Sequence, residues 1–423
     1  MTTVFASGDP ASTIPHSSRA VLELIQRWRE SRPRIDKLEQ ALRHQPPEIS
    51  RPALAILRSA IREDGRIEAL LVDRFQRSPH PLVINILVAA LAEWFLEKHQ
   101  ADGQLVHFWV EVSKKLRSKP ESRLVNAVLR RTIQELRSVP DGSHLLRQSH
   151  PEWWLQSWEK HFSAESISAL LSWNQKPADY FLRWLSPTTP APPQLLPTDH
   201  PLYLKCPLDL VEQIPDWYER GLAIVQDPGQ RHPVDLLLAG EPRRLLDACA
   251  APGGKSIALA AALGPDCEVV ANDLPGRRQE RLARHLRDLP WKNLRSTAHD
   301  FREKIPAAWE HQFDAVLVDA PCSNSGILRR RPDVKWRMSP SRLGQLVALQ
   351  ERLLTQASAA VSPRGVLLYS TCSIDPEENR QLVDRFLQTE AGTDFRLEEA
   401  LLSFPWQDSH DGAAAFLMRR HGV

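Results

Sequence analysis

The stretch DACAAPGGKS at residues 247–256 decides the fold of the second half of the chain. It follows an apolar run at 244–248 that predicts a β-strand, and it leads into an apolar segment at 256–263 that predicts a helix. Two adjacent glycines at such a turn let backbone N–H groups approach a ligand closely, and the N-terminus of a helix favours negative charge. The stretch therefore predicts a cofactor site between a strand and a helix.

Three kinds of ligand compete for this turn. A dinucleotide site requires the pattern G-x-G-x-x-G, which is absent. A phosphate-binding P-loop needs glycine at position 249, where the chain has cysteine, although GKS at 254–256 fits the end of that motif. S-adenosylmethionine is favoured by Asp273, which closes the second predicted strand and can accept hydrogen bonds from both ribose hydroxyls. Asp300 follows a third predicted strand and is expected near the adenine.

Further apolar runs at 268–272, 314–319 and 365–370 each precede a helix-like or loop segment. This alternation predicts a mostly parallel α/β sheet. Ligands of such sheets bind outside the carboxyl ends of the strands. The sequences DAPCS at 319–323 and STCS at 370–373 follow two of these runs, so we expect their side chains to meet in one crevice.

The two cysteines at these strand ends, Cys322 and Cys372, suit methylation of a pyrimidine base. C5 of cytosine is a poor nucleophile until another nucleophile adds at C6, and cysteine is well suited to that addition because it is nucleophilic and partly thiolate near neutral pH. Asp319 can hydrogen-bond the exocyclic amine and, if protonated or through a neighbouring group, support N3 as negative charge develops there. The C5 proton must then leave and the thiol must be expelled, which gives a second cysteine a separate task.

Composition excludes several classes of protein. With 423 residues, 42% hydrophobic and 25% charged, the chain is expected to be globular with two or three domains. It contains no apolar run of the roughly 20 residues that a membrane-spanning helix needs, and its first 18 residues lack the apolar core of a signal peptide. A net charge of +2 argues neither for nor against a nucleic-acid partner.

The cysteine pattern indicates a reduced, cytoplasmic protein without a structural metal site. The cysteines are odd in number, widely spread and without a CxxC pair: Cys206, Cys249, Cys267, Cys322 and Cys372. Most free cysteines are small buried hydrophobes, which is our interpretation of Cys206 and Cys267.

The first 140 residues predict an all-α domain of five or more helices. Val21, Leu24, Ile25 and Trp28 have helical spacing and form an apolar stripe, which we interpret as core. Six prolines between 186 and 201 indicate a linker. We therefore expect a helical domain at 1–140, a connector and RNA-binding extension at 141–235 containing the linker 186–201, and a catalytic domain at 236–423.

Taken in order, these motifs resemble the bacterial Sun/RsmB-type 16S ribosomal RNA cytosine-C5 methyltransferases. The resemblance rests on DACAAPGGK, Asp273, Asp300, DAPCS and STCS, and it extends to LVNAVLRR at 124–131, VQD at 225–227, GILRRRPDVKW at 326–336 and PEEN at 376–379. It implies a NusB-like helical RNA-binding domain followed by a Rossmann-like S-adenosylmethionine-dependent methyltransferase domain. The chain departs from the family at Arg183-Trp184-Leu185, where R-V-N is usual, and at Ala413-Ala414, where two phenylalanines are usual.

The resemblance also implies roles for individual residues. It makes Cys372 the nucleophile and Cys322 the residue that assists product release, with Asp319 beside them. The residues that it implies for cofactor binding are Cys249, Ala250, Ala251, Pro252, Gly253, Gly254, Lys255, Asp273, Asp300 and Asp319.

A basic cluster directly follows the second catalytic motif. Cations there could neutralise phosphates while an aromatic ring stacks on an unpaired base, so we predict that RNA is bound by Arg329, Arg330, Arg331, Lys335 and Trp336. A second group of arginines, within 277–287, is more typical of an ordinary exposed helix face and is left unassigned.

The function predicted from the sequence is methylation of C5 of a cytosine in 16S rRNA through a covalent cysteine–C6 adduct. We expect a monomer that binds 16S rRNA, with no membrane partner. Two alternatives stay open at this point: a transfer RNA methyltransferase using the same chemistry, and a non-catalytic NusB-like RNA-binding factor.

Overall fold

A computed structural model of the chain describes residues 14–96, 102–138 and 144–422. The α-helices in these residues are α1 (His16–Ser31), α2 (Ile35–Glu39), α3 (Pro47–Arg62), α4 (Asp64–Leu71), α5 (Pro81–Leu96), α6 (Asp102–Leu116), α7 (Lys119–Ser138), α8 (His144–Arg147), α9 (Glu152–Trp158), α10 (Ala164–Asn174), α11 (Ile214–Glu219), α12 (Arg231–Leu238), α13 (Gly254–Leu263), α14 (Arg277–Arg287), α15 (Asp333–Arg337), α16 (Pro340–Ser358), α17 (Arg380–Phe386) and α18 (Pro405–Asp408). The β-strands are β1 (Tyr180–Trp184), β2 (Leu196–Pro197), β3 (Tyr203–Cys206), β4 (Ala223–Val225), β5 (Arg244–Asp247), β6 (Glu268–Asp273), β7 (Leu294–Ala298), β8 (Phe313–Asp319), β9 (Val361–Thr371), β10 (Phe395–Ser403) and β11 (Ala413–Arg420).

The described residues form two units. The helical unit contains the residues up to Lys176 together with Leu328–Arg337, and the sheet unit contains Pro177–Ile327 and the residues from Met338 onward. No helix in the described part of the chain is long and apolar enough to cross a membrane.

The helical unit is built around α5. This helix carries the sequence NILVAALAEWF and is buried on nearly every side, as expected for a helix that is apolar all round. It packs against α1, α3, α6 and α7. The predicted stripe of α1 is confirmed, because Val21, Leu24, Ile25 and Trp28 are at most 3% exposed. The predicted all-α N-terminal domain is therefore correct.

The boundary of the helical unit differs from the predicted position at 140. Helices α8 to α10 belong to this unit, and so does the segment 328–337, which lies far away in sequence. One reason is that Trp173, at the end of α10, packs its ring against the Arg329 guanidinium, with 4.0 Å between the guanidinium carbon and the ring centroid. The expected connector at 141–235 is thus divided between the two units.

The predicted linker at 186–201 is part of a small antiparallel sheet with the strand order β2-β3-β1-β4. Leu195 is only 5% exposed, which gives the proline stretch an apolar anchor. Pro197 pairs with Leu204 from the edge strand β2, where the missing N–H costs no hydrogen bond inside the sheet. The proline content therefore reflects an edge strand and its flanking turns rather than a free linker.

The large sheet has seven strands in the order β10-β11-β9-β8-β5-β6-β7. Strands β9, β8, β5, β6 and β7 run parallel, whereas β11 pairs antiparallel with β9 and β10. The chain order turns back between β5 and β8, which is the switch point where such sheets bind ligands outside the carboxyl ends of the strands. The predicted Rossmann-like α/β class is confirmed, including the strands predicted at 244–248, 268–272, 314–319 and 365–370 and the strand predicted before Asp300.

Candidate active site

The glycine turn joins β5 to α13 at the switch point. Gly253 has a φ of 112°, and a Cβ there would lie 2.9 Å from Cδ1 of Leu282, so the turn needs glycine for both its conformation and its packing. Ala250 N donates a hydrogen bond to Asn272 O at 2.7 Å and ties the turn to β6. Gly254 begins α13, whose first N–H groups have no partner within the helix and are available to a ligand.

Acidic side chains stand at the ends of β5, β6 and β7. Asp273 Oδ2 accepts a hydrogen bond from Ala251 N at 2.9 Å. Asp247 is buried and accepts from Ser256 Oγ at 2.6 Å, and burial raises its pKa to about 7. Asp300 is held by hydrogen bonds from Arg302, which lower the pKa of its carboxyl group. The structure therefore brings the two predicted cofactor carboxylates, Asp273 and Asp300, to one edge of the sheet.

Asp319 at the end of β8 is oriented by partners on both oxygens. Lys255 Nζ donates to Oδ2 at 2.6 Å and to Gln230 Oε1 at 2.5 Å. Ser370 Oγ donates to Oδ1 at 2.8 Å. The Asp319 side chain is still 33% exposed, so it remains accessible to a substrate. Lys255, predicted to bind cofactor, is thus also the ion-pair partner that fixes Asp319.

Cys322 and Cys372 lie side by side, with 3.1 Å between their Sγ atoms. The parallel register that pairs Asp319 with Ser370 places the two cysteine loops next to each other. Cys322 is 8% exposed, whereas Cys372 is half-buried. The hydrogen bond with Cys372, together with burial, raises the pKa of the Cys322 thiol well above its ordinary value. The expected convergence of the two cysteines is confirmed, and their surroundings are unequal.

Asn324 connects the two cysteines. Its backbone is left-handed, with a φ of 64°, and its amide donates to Cys322 O at 2.8 Å. Its Oδ1 lies 3.4 Å from Cys372 Sγ and accepts from the thiol. Gly326 N donates to Cys372 O at 3.0 Å, and a Cβ at Gly326 would lie 2.7 Å from that oxygen. The loops therefore touch backbone to backbone.

A buried polar network supports both loops from below. Glu378 Oε1 accepts hydrogen bonds from Ser323 N and from Gln350 Nε2, both at 2.8 Å. Gln350 also donates to Pro321 O at 3.0 Å. Burial raises the pKa of Glu378 to about 7. This carboxyl group and Gln350 hold the backbone on either side of Cys322.

Sequence reasoning missed several of these residues. Gln230 and Gln350 lie in no quoted motif, and nothing in their local sequence indicates a role. Glu378 lies in the quoted PEEN sequence, and Asn324 directly follows DAPCS, so the motifs mark their positions without giving their contacts.

The residues at the sheet edge fit S-adenosylmethionine. Gly253 leaves the turn free of a side chain, α13 offers unpaired N–H groups, and Asp273 and Asp300 are carboxylates at consecutive strand ends. A carboxylate at the end of β6 suits ribose hydroxyls, as the sequence predicts.

The predicted RNA-binding cluster lies largely inside the helical unit. Lys335 is 0% exposed and its Nζ donates to Arg62 O at 2.7 Å. Arg329 is 3% exposed and packs on Trp173. The prediction that these two cations contact RNA is wrong, because a buried side chain cannot reach a phosphate.

The rest of the cluster is also engaged in this unit. The Trp336 indole N–H donates to Ile61 O at 2.8 Å. Arg331 pairs with Asp36 at 3.3 Å and with the fully buried Asp333 at 3.6 Å. The charged residues at 329–336 thus mainly anchor the segment 328–337 within the helical unit. Arg330 is half-buried, and its contact with RNA stays a prediction.

Together, the parallel sheet, the glycine turn, the acidic strand ends and the paired thiols define a Rossmann-like methyltransferase with a cysteine site. Comparison with known proteins narrows this class. Residues 235–412 match the family model described as 16S rRNA methyltransferase RsmB/F, and residues 19–134 match the NusB family.

Relatives and solved structures agree with these matches. The chain is 31% identical over 374 residues to Ribosomal RNA small subunit methyltransferase B of Erwinia tasmaniensis, covering 82% of this chain and 83% of the relative. It is 34% identical over 298 residues to the protein of the same name from Yersinia pseudotuberculosis, covering 64% and 67%. The crystal structure of PH0851 has the same fold, with a TM-score of 0.72 at 21% identity over 97% of this chain and 100% of that chain. A methyltransferase homologue from Pyrococcus horikoshii has a TM-score of 0.53 at 20% identity, covering 65% and 97%.

The chain belongs to the RsmB/F family of 16S rRNA methyltransferases. Membership confirms the predicted family, the enzyme class and S-adenosylmethionine as the methyl donor. It also confirms methylation of cytosine C5 in ribosomal RNA as the reaction.

Proposed function

We propose that this methylation of 16S rRNA proceeds through a covalent bond between Cys372 Sγ and C6 of the target cytosine. The observation that carries the proposal is the pair of thiols 3.1 Å apart, of which Cys322 is buried and Cys372 is only half-buried. Cys322 has a raised pKa and stays a thiol at neutral pH, so it suits a hydrogen-bond donor to a Cys372 thiolate rather than the nucleophile.

In the first step the Cys372 thiolate, its proton released to solvent, forms the Sγ–C6 bond, and the C5–C6 π electron pair moves toward C5 and N3. Asp319 is positioned to accept a hydrogen bond from the exocyclic amine of the cytosine, because Lys255 and Ser370 hold its carboxylate in place. Bound S-adenosylmethionine supplies the methyl group to the electron-rich C5. We propose that it is held by the turn at 249–255 and by Asp273, Asp300 and Asp319.

Release requires a base. The C5–H bond breaks, its proton passes to the Cys322 thiolate, its electron pair restores the C5–C6 double bond, and the bond between C6 and Cys372 breaks. Because Cys322 must first lose its own proton and burial favours the thiol, we expect release to become faster as pH rises.

Substitution of the two cysteines tests these roles separately. Cys372→Ala is expected to abolish methyl transfer to 16S rRNA, and turnover retained by this variant would refute the nucleophile assignment. Cys322→Ala is expected to accumulate a protein–RNA adduct that survives a denaturing gel and disappears in the double variant. Cys206→Ala is a matched control, since Cys206 is a buried cysteine of the small sheet. An equal adduct yield with wild-type Cys322 would refute the release role.

The substrate and the setting are part of the same proposal. The target base must leave its stack to reach Cys372, which costs least in a single-stranded segment, so we propose an unpaired cytosine of 16S rRNA. Bisulfite sequencing of RNA from cells with and without the gene identifies the base, and a methylated position in transfer RNA would favour that alternative. We further propose a monomer acting in the cytoplasm, where five free thiols persist, and light scattering after gel filtration measures the mass.

A further inference from the structure

The structure removes Lys335 and Arg329 from the predicted RNA contacts, which raises the question of where the sheet unit meets the phosphates of its substrate. Helix α14 is the strongest candidate. It follows Asp273 in the chain and therefore begins at the cofactor edge of the large sheet. Its outward residues include five arginines, all exposed, and one exposed acid, Glu280.

We propose that α14 is a docking surface for the phosphate backbone of the RNA substrate, through the arginine stripe formed by Arg277, Arg281 and Arg284. This inference rests on the proposed function, because it assigns a surface to the RNA that the catalytic site modifies.

The helix geometry separates this stripe from the core-facing side. Leu282 and Leu286 are buried and pack in the core beneath the helix. At 100° per residue, Arg277, Arg281 and Arg284 fall on the opposite side, in one line. With a rise of about 1.5 Å per residue they extend about 10 Å along the axis, enough to follow several phosphates of one strand.

The charges of the stripe are not neutralised within the chain. Among the described residues, no carboxylate lies at ion-pair distance from Arg277, Arg281 or Arg284. Arg284 instead donates to the backbone oxygen of Glu280 at 3.4 Å. Elsewhere in the sheet unit, exposed arginines such as Arg380 and Arg385 have acidic partners at 2.8 and 2.6 Å. The stripe is therefore a local excess of positive charge.

The positive charge at the start of α14 also destabilises the helix in the absence of a partner. Arg277 lies in the first turn, where the helix dipole disfavours cations. Its neighbour Arg278 donates to Ala251 O at 2.7 Å, so the basic surface reaches the cofactor turn itself. An external anion on α14 would relieve the repulsion at the place where RNA must approach the methyl donor.

Arginine chemistry favours phosphate over other acidic partners. The planar guanidinium binds phosphate oxygens with two parallel hydrogen bonds, and Arg is preferred over Lys where such geometry is used. Lys is absent from α14. An acidic protein is the competing partner, and the experiment separates it from RNA.

The test compares two triple variants of the full chain for binding to a labelled 16S rRNA transcript. The variant R277Q/R281Q/R284Q removes the stripe and leaves Arg278 in place. The control R352Q/R380Q/R385Q removes the same charge from exposed arginines of α16 and α17 that have acidic partners. We expect the stripe variant to raise the Kd about 100-fold at 0.1 M salt and to lower the slope of log K against log salt by about 2, at about 0.7 per lost contact. The control is expected to change neither quantity appreciably.

Three outcomes overturn the proposal: unchanged RNA affinity of the stripe variant, an unchanged salt slope, or an equal loss in the control. Unchanged RNA affinity would direct attention to an acidic protein partner. A charge-retaining variant, R277K/R281K/R284K, guards against a folding defect and is expected to recover most of the salt slope. The proposed function is judged separately, by methyl transfer of the wild-type chain. A wild-type chain that binds RNA through the stripe without methylating it would refute the function and leave the stripe intact.

Discussion

Replacing Lys335 by methionine tests the buried position of this residue in the helical unit. Its ammonium group donates a hydrogen bond to Arg62 O at 2.7 Å, and burial lowers its pKa from 10.5 to about 7. Between these values the unfolded chain holds a proton that the folded chain does not, so the folded state becomes more stable as pH rises. For pKa values of about 7 and 10.5, stability is expected to rise by about 2.5 kcal/mol between pH 7.5 and 9.5 from this residue alone.

Urea unfolding of the full chain, followed by tryptophan fluorescence at several pH values, measures this effect. Lys335→Met keeps the length of the side chain and removes the titrating group, so the stability of the wild type relative to the variant should rise by that amount between pH 7.5 and 9.5. The variant leaves Arg62 O without its donor, which costs about 1–3 kcal/mol at every pH. A pH-independent difference would refute burial of a titrating lysine, and a large loss of RNA affinity in Lys335→Met would restore the original RNA-binding interpretation.

Two further substitutions test the site. Gly253→Ala brings a Cβ to 2.9 Å from Leu282 at a φ of 112° and is expected to cost about 1–3 kcal/mol and to weaken S-adenosylmethionine binding measured by calorimetry. Gly264→Ala, also at positive φ but with open space around its Cβ, is expected to keep cofactor affinity, and equal losses in both variants would contradict the proposed cradle. Glu378→Gln keeps the acceptor for Ser323 N and is expected to abolish a loss of stability that the wild type shows as pH rises from 4.5 toward 7. An unaltered pH profile of unfolding in this variant would show that Glu378 does not hold a proton in the folded chain.

The sequence alone predicts the large sheet and the convergence of its functional residues at the carboxyl ends of the strands. Short apolar runs ending in Asp273, Asp319 or the cysteine motifs predict parallel strands, and parallel strands place their carboxyl ends at one edge. That rule alone brings Cys322 and Cys372 into one crevice. It does not give contacts such as the ion pair between Lys255 and Asp319, because these depend on side-chain distances that no spacing along the chain encodes.

The segment 328–337 shows why local composition was misleading. A run of arginine, lysine and tryptophan after a catalytic motif is typical of a surface that binds RNA. In the folded chain, Lys335 and Trp336 instead donate to the carbonyl oxygens of Arg62 and Ile61 at the end of α3, more than 270 positions earlier. The sequence does not distinguish a polar side chain that is hydrogen-bonded to a distant part of the backbone from one that is exposed to solvent. The same limit applies to the proline-rich stretch at 186–201. Its prolines resemble those of a linker, but the buried side chain of Leu195 anchors it to the small sheet.

Three buried titratable groups give the chain opposing responses to pH. Asp247 and Glu378 hold loops of the site in the sheet unit, and burial raises the pKa of each to about 7, so their contribution to stability is full in acid and is lost as pH rises through 7. Lys335 acts in the opposite sense, since its contribution is full above pH 10.5 and is lost as pH falls through 7. The summed contribution of the three groups to the free energy of unfolding is therefore smallest near neutral pH.

The two buried acids thus lower the stability of the folded chain near neutral pH, so their presence needs another explanation. For Asp247 and Glu378 that reason is the backbone they hold: an acceptor is needed for the N–H groups of Cys249 and Ser323, and a leucine in either place would leave a buried donor unpaired beside the reacting atoms.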